Sequence, residues 1–485
     1  MADYEYLYQS RTEDLDLELS IEGALPESIQ GTLYAIGGAG CKVGDTALSA
    51  LDAHGRVVAV SIAGGKAQLR ARMVQTPLWK AERGASAIVK RRLFTNKPGR
   101  WSNLFDLDLA NPAGHNVVPW GKDVVAANDP GFFVLDPQTL ETRGPAPIQP
   151  KKGATFGPMP RRDPATGRHV VFEQRPGLKD TIIVREIDDG FQVAKEQAYS
   201  LGRGAAFFHD VAFTERYYLI MQFASLSVPS FAWGAATALE ALRFEPESTP
   251  VMHLLPRAGG APITVPLPGG RAHFHFWNAF EEGGAVVADT LGYDGKVTFG
   301  SLLPPAARPA RAPPPAATPK VASWRYHIDP ASRSARPEKL DDVASEAPEI
   351  RADRRGRSYR YGWAPAQGRP GGRGRSDELP VVPRPRASRL PGAHDAGLGR
   401  RAQGVRLGLR VRPPGGRRRG GPWARARVDP RCRRWHGHPG SVRRPRRRGG
   451  ACGAPDRGRP ARRHLPRLVR RALTAGLSAT KTAGS

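Results

Sequence analysis

The sequence predicts an all-β protein, either a sandwich or a propeller, on three observations. Residues 1–362 carry many short runs of β-favouring residues. Gly, Asp, Asn or Pro separates most of them at hairpin spacings. Helical periodicity is scarce. In chain order the clearest strands are "GTLYAIG", "RVVAVSIAGG", "KAQLRARMVQT", "NVVPWGKDVVAAN", "FFVLDPQTLETRG", "GRHVVFEQR", "DTIIVREIDDG", "RYYLIMQFAS" and "GAVVADTLGYDG". Each is rich in Val, Ile, Phe or Tyr, which fit a pleated, half-buried surface. The stretch "GAATALEALRF", 234–244, is the best helix. "GGAGCKVGDT" is glycine-rich but is not followed by a βαβ unit, so it does not predict a phosphate loop.

Composition divides the chain in two. From Tyr361 to Ser485 there are 31 Arg and one Lys against five acidic residues, leaving 42 basic and 40 acidic residues over 1–360. The net charge of +29 therefore belongs to a tail. That tail has no Phe, Ile, Asn or Met and is dominated by Arg, Gly, Pro and Ala. It cannot bury enough apolar surface to offset chain entropy, so 365–485 is expected to be disordered beside a folded unit over 1–364. Two origins are open: an arginine-rich nucleic-acid-binding tail, or a reading-frame slip in GC-rich DNA, which gives this alphabet. The shortage of stacking aromatics argues against base-selective binding, and nucleic acid is not the expected partner. "PPAARPARAPPPAATP", 304–319, reads as an exposed loop. Three cysteines without a CxxC pair, and a polar, acidic N-terminus, lead to the expectation of a cytoplasmic protein.

Histidines carry the chemistry. In "FFHDVAFTERYYLIM", 207–221, His209 and Asp210 stand at the mouth of a buried strand. A lone histidine there reads as a satisfied core residue. In "RAHFHFWNAFEEGGAVVAD", 271–289, alternation puts His273 and His275 on one strand face and Phe274 on the other. Together the two stretches suggest imidazoles delivered from separate strands to one point. His54, His115, His169, His253 and His273 read as surface, turn or strand residues.

In this order along the chain, several stretches resemble the motifs of the carotenoid cleavage oxygenases, which include the lignostilbene dioxygenases. They are "LPESIQGTLYAIGGAG", "LDAHGRVVAVSIAGGKAQLRARMVQT", "VVAANDPGFFVLDPQTLETRG", "FHDVAFTERYYLI", "FHFWNAFEEG" and "EAPEIRADRRGRSYRYGWA". The resemblance runs from about residue 20 to 364. It implies a seven-bladed β-propeller with a dome of loops and helices, incomplete at the C-terminus, with Fe(II) on the axis held by four histidines. It further implies that O2 cleaves a C=C bond of a carotenoid, apocarotenoid or stilbene-like substrate. His209 and His275 map to iron ligands, and Glu346 maps to a carboxylate behind one of them. Neutral imidazoles suit Fe(II), and carboxylates behind them orient the rings.

The departures bear on activity. Met159 stands where the family has its first iron histidine, and Asn128 where it has a glutamate. The family's fourth histidine falls after residue 400, where the resemblance has vanished, and the "WHGHPG" around His436 reads as coincidence. An inactive or truncated relative is therefore the alternative reading. The apolar stretch 225–242 reads either as a peripheral membrane contact or as a buried helix over the propeller face.

Overall fold

The computed structural model describes residues 12–364 except 24, 100, 203–205, 244–249 and 295–319, together with Gly408–Val411. Among the described residues, five antiparallel sheets of four or five strands follow one another along the chain, with three smaller ones beside them. The first contains Leu15–Glu22, Gly31–Ala39, His54–Ala63 and Lys66–Met73. The second runs Asn116–Trp120, Asp123–Asn128, Gly131–Leu135 and Thr142–Pro145. The third is built on His169–Arg175, Thr181–Ile187 and Val193–Ser200, with Thr155–Phe156 and Arg161–Arg162 both paired to its first long strand. The fourth comprises Val211–Phe213, Tyr217–Gln222, Val251–Pro256 and Ile263–Pro266, and the fifth Ala272–Glu282, Ala285–Asp294, Lys320–Asp329 and Ser334–Lys339. In the second, fourth and fifth sheets spatial order follows chain order, so each is a meander, the form of a propeller blade. The seven blades expected from the sequence extend over residues partly outside those described.

The strands read as continuous apolar runs because both faces of the sheets are covered. In Tyr217–Gln222, Leu219 and Met221 join a core with Phe276, Ala288 and Tyr326 of the next sheet. Tyr218 and Ile220 join a second core with Val170 and Phe172 of the previous one. Val171 turns the opposite way, towards Trp120, Val125 and Phe132. Ala126 and Leu135 meet Val57 and Ala59 of the first sheet. Each consecutive pair of sheets thus shares one core, and period-2 alternation sends neighbouring side chains to different cores. This serial stacking of blades buries apolar area on both sides, worth about 25 cal/mol per Å² removed from water.

Two sequence expectations change. The helix predicted over 234–244 is shorter: within that range only Ala238–Ala241 is helical, Leu242–Arg243 is a strand, and a separate short helix, Val228–Ala232, precedes it. Gly234 takes φ 69°, a conformation that ends the first helix, and a Cβ there would meet Asn103 at 2.8 Å. Thr237 and Glu240 then form a reciprocal capping box that starts the second. Beyond residue 364, Gly408–Val411 pairs antiparallel with Leu15–Glu22, Leu19 opposite Val411. It is part of the stretch expected to be without structure; the rest of that stretch lies outside the described residues. No helix among the described residues is long and apolar enough to cross a membrane.

Candidate metal centre

His209 and His275 come together. Their ring centroids are 5.1 Å apart at an interplanar angle of 68°. Metal–imidazole bonds are about 2 Å long, so two rings sharing one ion sit with centroids roughly 4.5–6.4 Å apart.

Local structure explains the convergence. Ala272–Glu282 pairs with Ala285–Asp294 in a register that puts His273 opposite Gly292 and Phe276 opposite Thr290. Two residues, Phe274 and His275, therefore face one, a bulge that re-aims side chains. The strict alternation expected from the sequence is broken here, and His273 and His275 do not share surroundings. His273 is buried in the core beside Thr290, the Leu291 carbonyl and the Tyr326 hydroxyl. Phe274 and His275 both reach the His209 ring, Phe274 at 6.2 Å.

Asp210 answers why a His-Asp pair opens this strand. Its carboxylate accepts from Arg161 Nε at 3.1 Å and Nη2 at 2.6 Å, and from the Phe276 amide at 2.8 Å. Arg161 also donates to the Phe276 carbonyl at 3.0 Å. The residue after one histidine is thereby clamped to the residue after the other. Burial works against the Arg161 charge, but Asp210 outweighs it and holds the guanidinium pKa above its ordinary value. Arg161 and Asp210 carry no pattern in the sequence that marks this role.

Glu346 stands where the sequence puts it, its Oε2 at 2.5 Å from His275 Nδ1. A carboxylate on Nδ1 fixes the tautomer and leaves Nε2 as the free lone pair. Burial alone would push the His275 pKa down; Glu346 raises it above the usual value. His209 is pushed down to about 3, by burial first and then by the neighbouring His275, so its ring is neutral, as a metal ligand must be. Phe207 stacks 6.1 Å from His209, and Phe223 lies 4.6 Å from Phe274, making an aromatic wall.

Met159 is half-buried two residues before Arg161. Asn128 is buried at the end of its strand, its Oδ1 without a hydrogen-bond partner, and Glu346 Oε1 is likewise unpartnered. Of the histidines read as structural, His54 pairs with Glu82, His169 stacks on Trp120 at 3.7 Å, and His253 contacts Thr264 and Gln222. His115 lies in a bend just before Asn116–Trp120. Its ring lies 6.0 Å from that of His209, and its Nδ1 lies 3.0 Å from Asp129 Oδ2, off the straight N–H direction. Burial lowers the His115 pKa, but Asp129 outweighs it and the net shift is upward.

Imidazoles and carboxylates at this spacing, with an unpartnered carboxylate oxygen, form a donor set that fits a divalent transition ion. Among the described residues, however, no three His, Cys, Asp or Glu side chains already converge on one point closely enough to hold it.

Residues 7–379 match the family model described as retinal pigment epithelial membrane protein. The chain belongs to this family of carotenoid oxygenases. It is 29% identical over 380 residues to the apocarotenoid-15,15'-oxygenase of Synechocystis, covering 73% of this chain and 74% of that protein. It is 27% identical to lignostilbene-α,β-dioxygenase isozyme III of Sphingomonas paucimobilis, covering 72% and 71%. The crystal structure of the cobalt-substituted Synechocystis oxygenase superposes with a TM-score of 0.67 at 28% identity, covering 74% of this chain and 77% of that one. The propeller fold and an oxygenase activity of the family type follow from this membership.

Proposed function

We propose that this protein is an Fe(II)-dependent oxygenase that uses O2 to cleave a C=C bond in a lipophilic apocarotenoid or stilbene-like substrate to two carbonyl products. The observation that carries the reading is the convergence of His209 and His275 at 5.1 Å, with Glu346 behind one ring, in a chain of this family. The relatives' names supply the substrate classes, an apocarotenoid and a lignostilbene. That the Synechocystis oxygenase accepts cobalt supports a divalent-ion site here.

His209 and His275 would hold the iron, whose part when bound is to bring O2 to the conjugated double bond. The chain's own residues do the rest. Glu346 holds the proton on His275 Nδ1 and so turns Nε2 towards the ion. The Arg161–Asp210–Phe276 clamp fixes the two ligand segments at one separation. Phe207, Phe223 and Phe274 exclude water and offer aromatic faces to a flat polyene or aryl group.

We also infer a peripheral contact with the lipid that carries such a substrate. Trp101, Phe105 and Trp233 are each more than two-thirds exposed, at 69%, 68% and 67%, and the Phe105 and Trp233 rings lie 6.2 Å apart. An exposed aromatic pair such as Phe105 and Trp233 marks an interaction surface.

The test is the full chain reconstituted anaerobically with Fe(II), then exposed to air with an apocarotenal or a hydroxystilbene, with aldehydes quantified by chromatography. Aldehyde formation that requires iron and His209 supports the reading. Iron-loaded protein that leaves both substrates intact overturns it. Sedimentation with neutral liposomes, lost on Trp101→Ser with Trp233→Ser, tests the membrane contact.

A further inference from the structure

We propose that His115, not residue 159, supplies the third imidazole of the metal site, and that Asp129 replaces the carboxylate lost at Asn128. The inference rests on the reading of His209 and His275 as ligands. It concerns two residues that the sequence motifs do not mark.

The geometry is a near repeat of the His275 arrangement. His275 has a carboxylate at Nδ1 and its ring beside His209. His115 also has a carboxylate at Nδ1, 3.0 Å away, and its ring 6.0 Å from His209 at 85°. His209 therefore has two imidazole neighbours, each with a carboxylate at its Nδ1, an arrangement that leaves Nε2 as the ligating nitrogen. The separation of 6.0 Å is within the range for two rings on one ion but towards its wide end, so ligation would draw the His115 ring in by roughly 1 Å. Both rings keep some accessible surface, 18% for His115 and 19% for His275, although protein encloses them deeply. They are not sealed in a fully packed core.

The segment carrying His115 is held as a ligand segment needs to be. The Gly55 amide donates to the Pro112 carbonyl at 2.7 Å. The backbone approaches so closely there that a Cβ on Gly55 would meet the Ala113 carbonyl oxygen at 1.9 Å. Asn111 accepts from the Ala113 amide through Oδ1 and donates to the Gly131 carbonyl through Nδ2, both at 3.0 Å. Ala113, wholly buried, takes φ 53°, a strained conformation for a residue with a Cβ that its surroundings must enforce. The same Asn111 bond ties the His115 segment to the hairpin turn Asn128–Gly131, which carries Asp129. Ligand and carboxylate are therefore fixed relative to each other by one side chain.

The relocation accounts for both departures from the family pattern. The imidazole missing at 159 reappears at 115. The carboxylate missing at 128 reappears one residue on, where the turn Asp129–Pro130 brings it to His115. The Asn128 side chain lies buried beside the pair.

Co(II) binding to the full chain tests this without reference to turnover, read by equilibrium dialysis and by the visible d–d band. His115→Ala should weaken Co(II) by more than about 100-fold and Asp129→Asn by about 10–100-fold, while Met159→Leu should change it by less than about threefold. Free imidazole should restore the band in His115→Ala, a rescue that a merely structural histidine would not allow. Near-ultraviolet circular dichroism checks that each variant is folded, and His115→Gln replaces His115→Ala if the latter is not. Unchanged Co(II) affinity in a folded His115 variant, with large losses in His209→Ala and His275→Ala, overturns the inference and leaves the proposed function standing. Unchanged affinity in all three would overturn the function's metal site as well.

Discussion

The Arg161–Asp210 pair gives the sharpest quantitative expectation. Arg161 is 6% exposed and Asp210 2% exposed. Asp210→Ala removes the acceptor of four hydrogen bonds, two from Arg161 and one each from the Val211 and Phe276 amides, and leaves the guanidinium without its counter-charge. Breaking a buried pair from one side costs about 3–5 kcal/mol, and the stranded Phe276 amide adds part of about 1–3 kcal/mol. The two costs overlap, so the expected loss is about 4–6 kcal/mol, comparable with the whole stability of many domains. Arg161→Met combined with Asp210→Ala removes both charges and should recover most of it, leaving chiefly the Val211 and Phe276 amides without that acceptor. Asp210→Asn keeps one acceptor for Phe276 and should fall between. The assay is the half-life of secondary structure at a fixed elevated temperature, since a chain of this size is prone to irreversible unfolding. Co(II) binding is measured in parallel to follow the His209–His275 separation. A double variant no more stable than Asp210→Ala alone would refute the reasoning, because the penalty would then not come from an uncompensated charge.

Two further expectations follow from the same geometry. Glu346→Gln keeps the shape behind His275 but loses the charge, and should weaken Co(II) or Fe(II) binding by about 10–100-fold with little change in melting temperature. His169, stacked on Trp120, has its pKa pushed down to about 4, by burial above all. Its neutral form is the folded one, so its contribution is complete above about pH 6.5 and is lost as pH falls towards 4. At pH 5 the loss should be about 2 kcal/mol. Urea midpoints at pH 7 and pH 5 should therefore differ by less in His169→Gln than in the parent protein; equal differences would remove His169 from the account.

Most of the fold was legible because blade strands are buried on both faces. Runs such as "DVVAAN" and "YYLIM" need little but β-favouring apolar residues, and turn residues mark their ends. The grouping of His209, His275 and Glu346 was legible because they stand inside stretches with a recognisable order. What was not legible depends on tertiary placement. His115 sits in a segment whose sequence, "NPAGHN", has the look of an ordinary loop, and Asp129 in a turn, "NDPG", where an aspartate is unremarkable. Arg161 reads as one charge in a basic pair. The helix over 234–244 was misjudged in extent because Gly234 takes a left-handed conformation, and the lack of space for a Cβ there is not visible in residue type. The shared face of His273 and His275 failed because a bulge cannot be read from residue type.

That bulge has an evolutionary consequence. Point substitutions at Phe274 or His275 can change what the site offers but not where it offers it. Position is written there as a residue count, since two residues oppose the single Leu291. Removing one residue would restore even pairing between His273 and Phe276 and turn the His275 side chain off the His209 ring, leaving the second irregularity between Phe276 and Asn278. Residue substitution can relocate a ligand on a loop, as between 159 and 115, because a loop has no phase to keep. At His275 the same freedom is closed, and lineages of this fold should vary there by insertion or deletion only together with loss of the site.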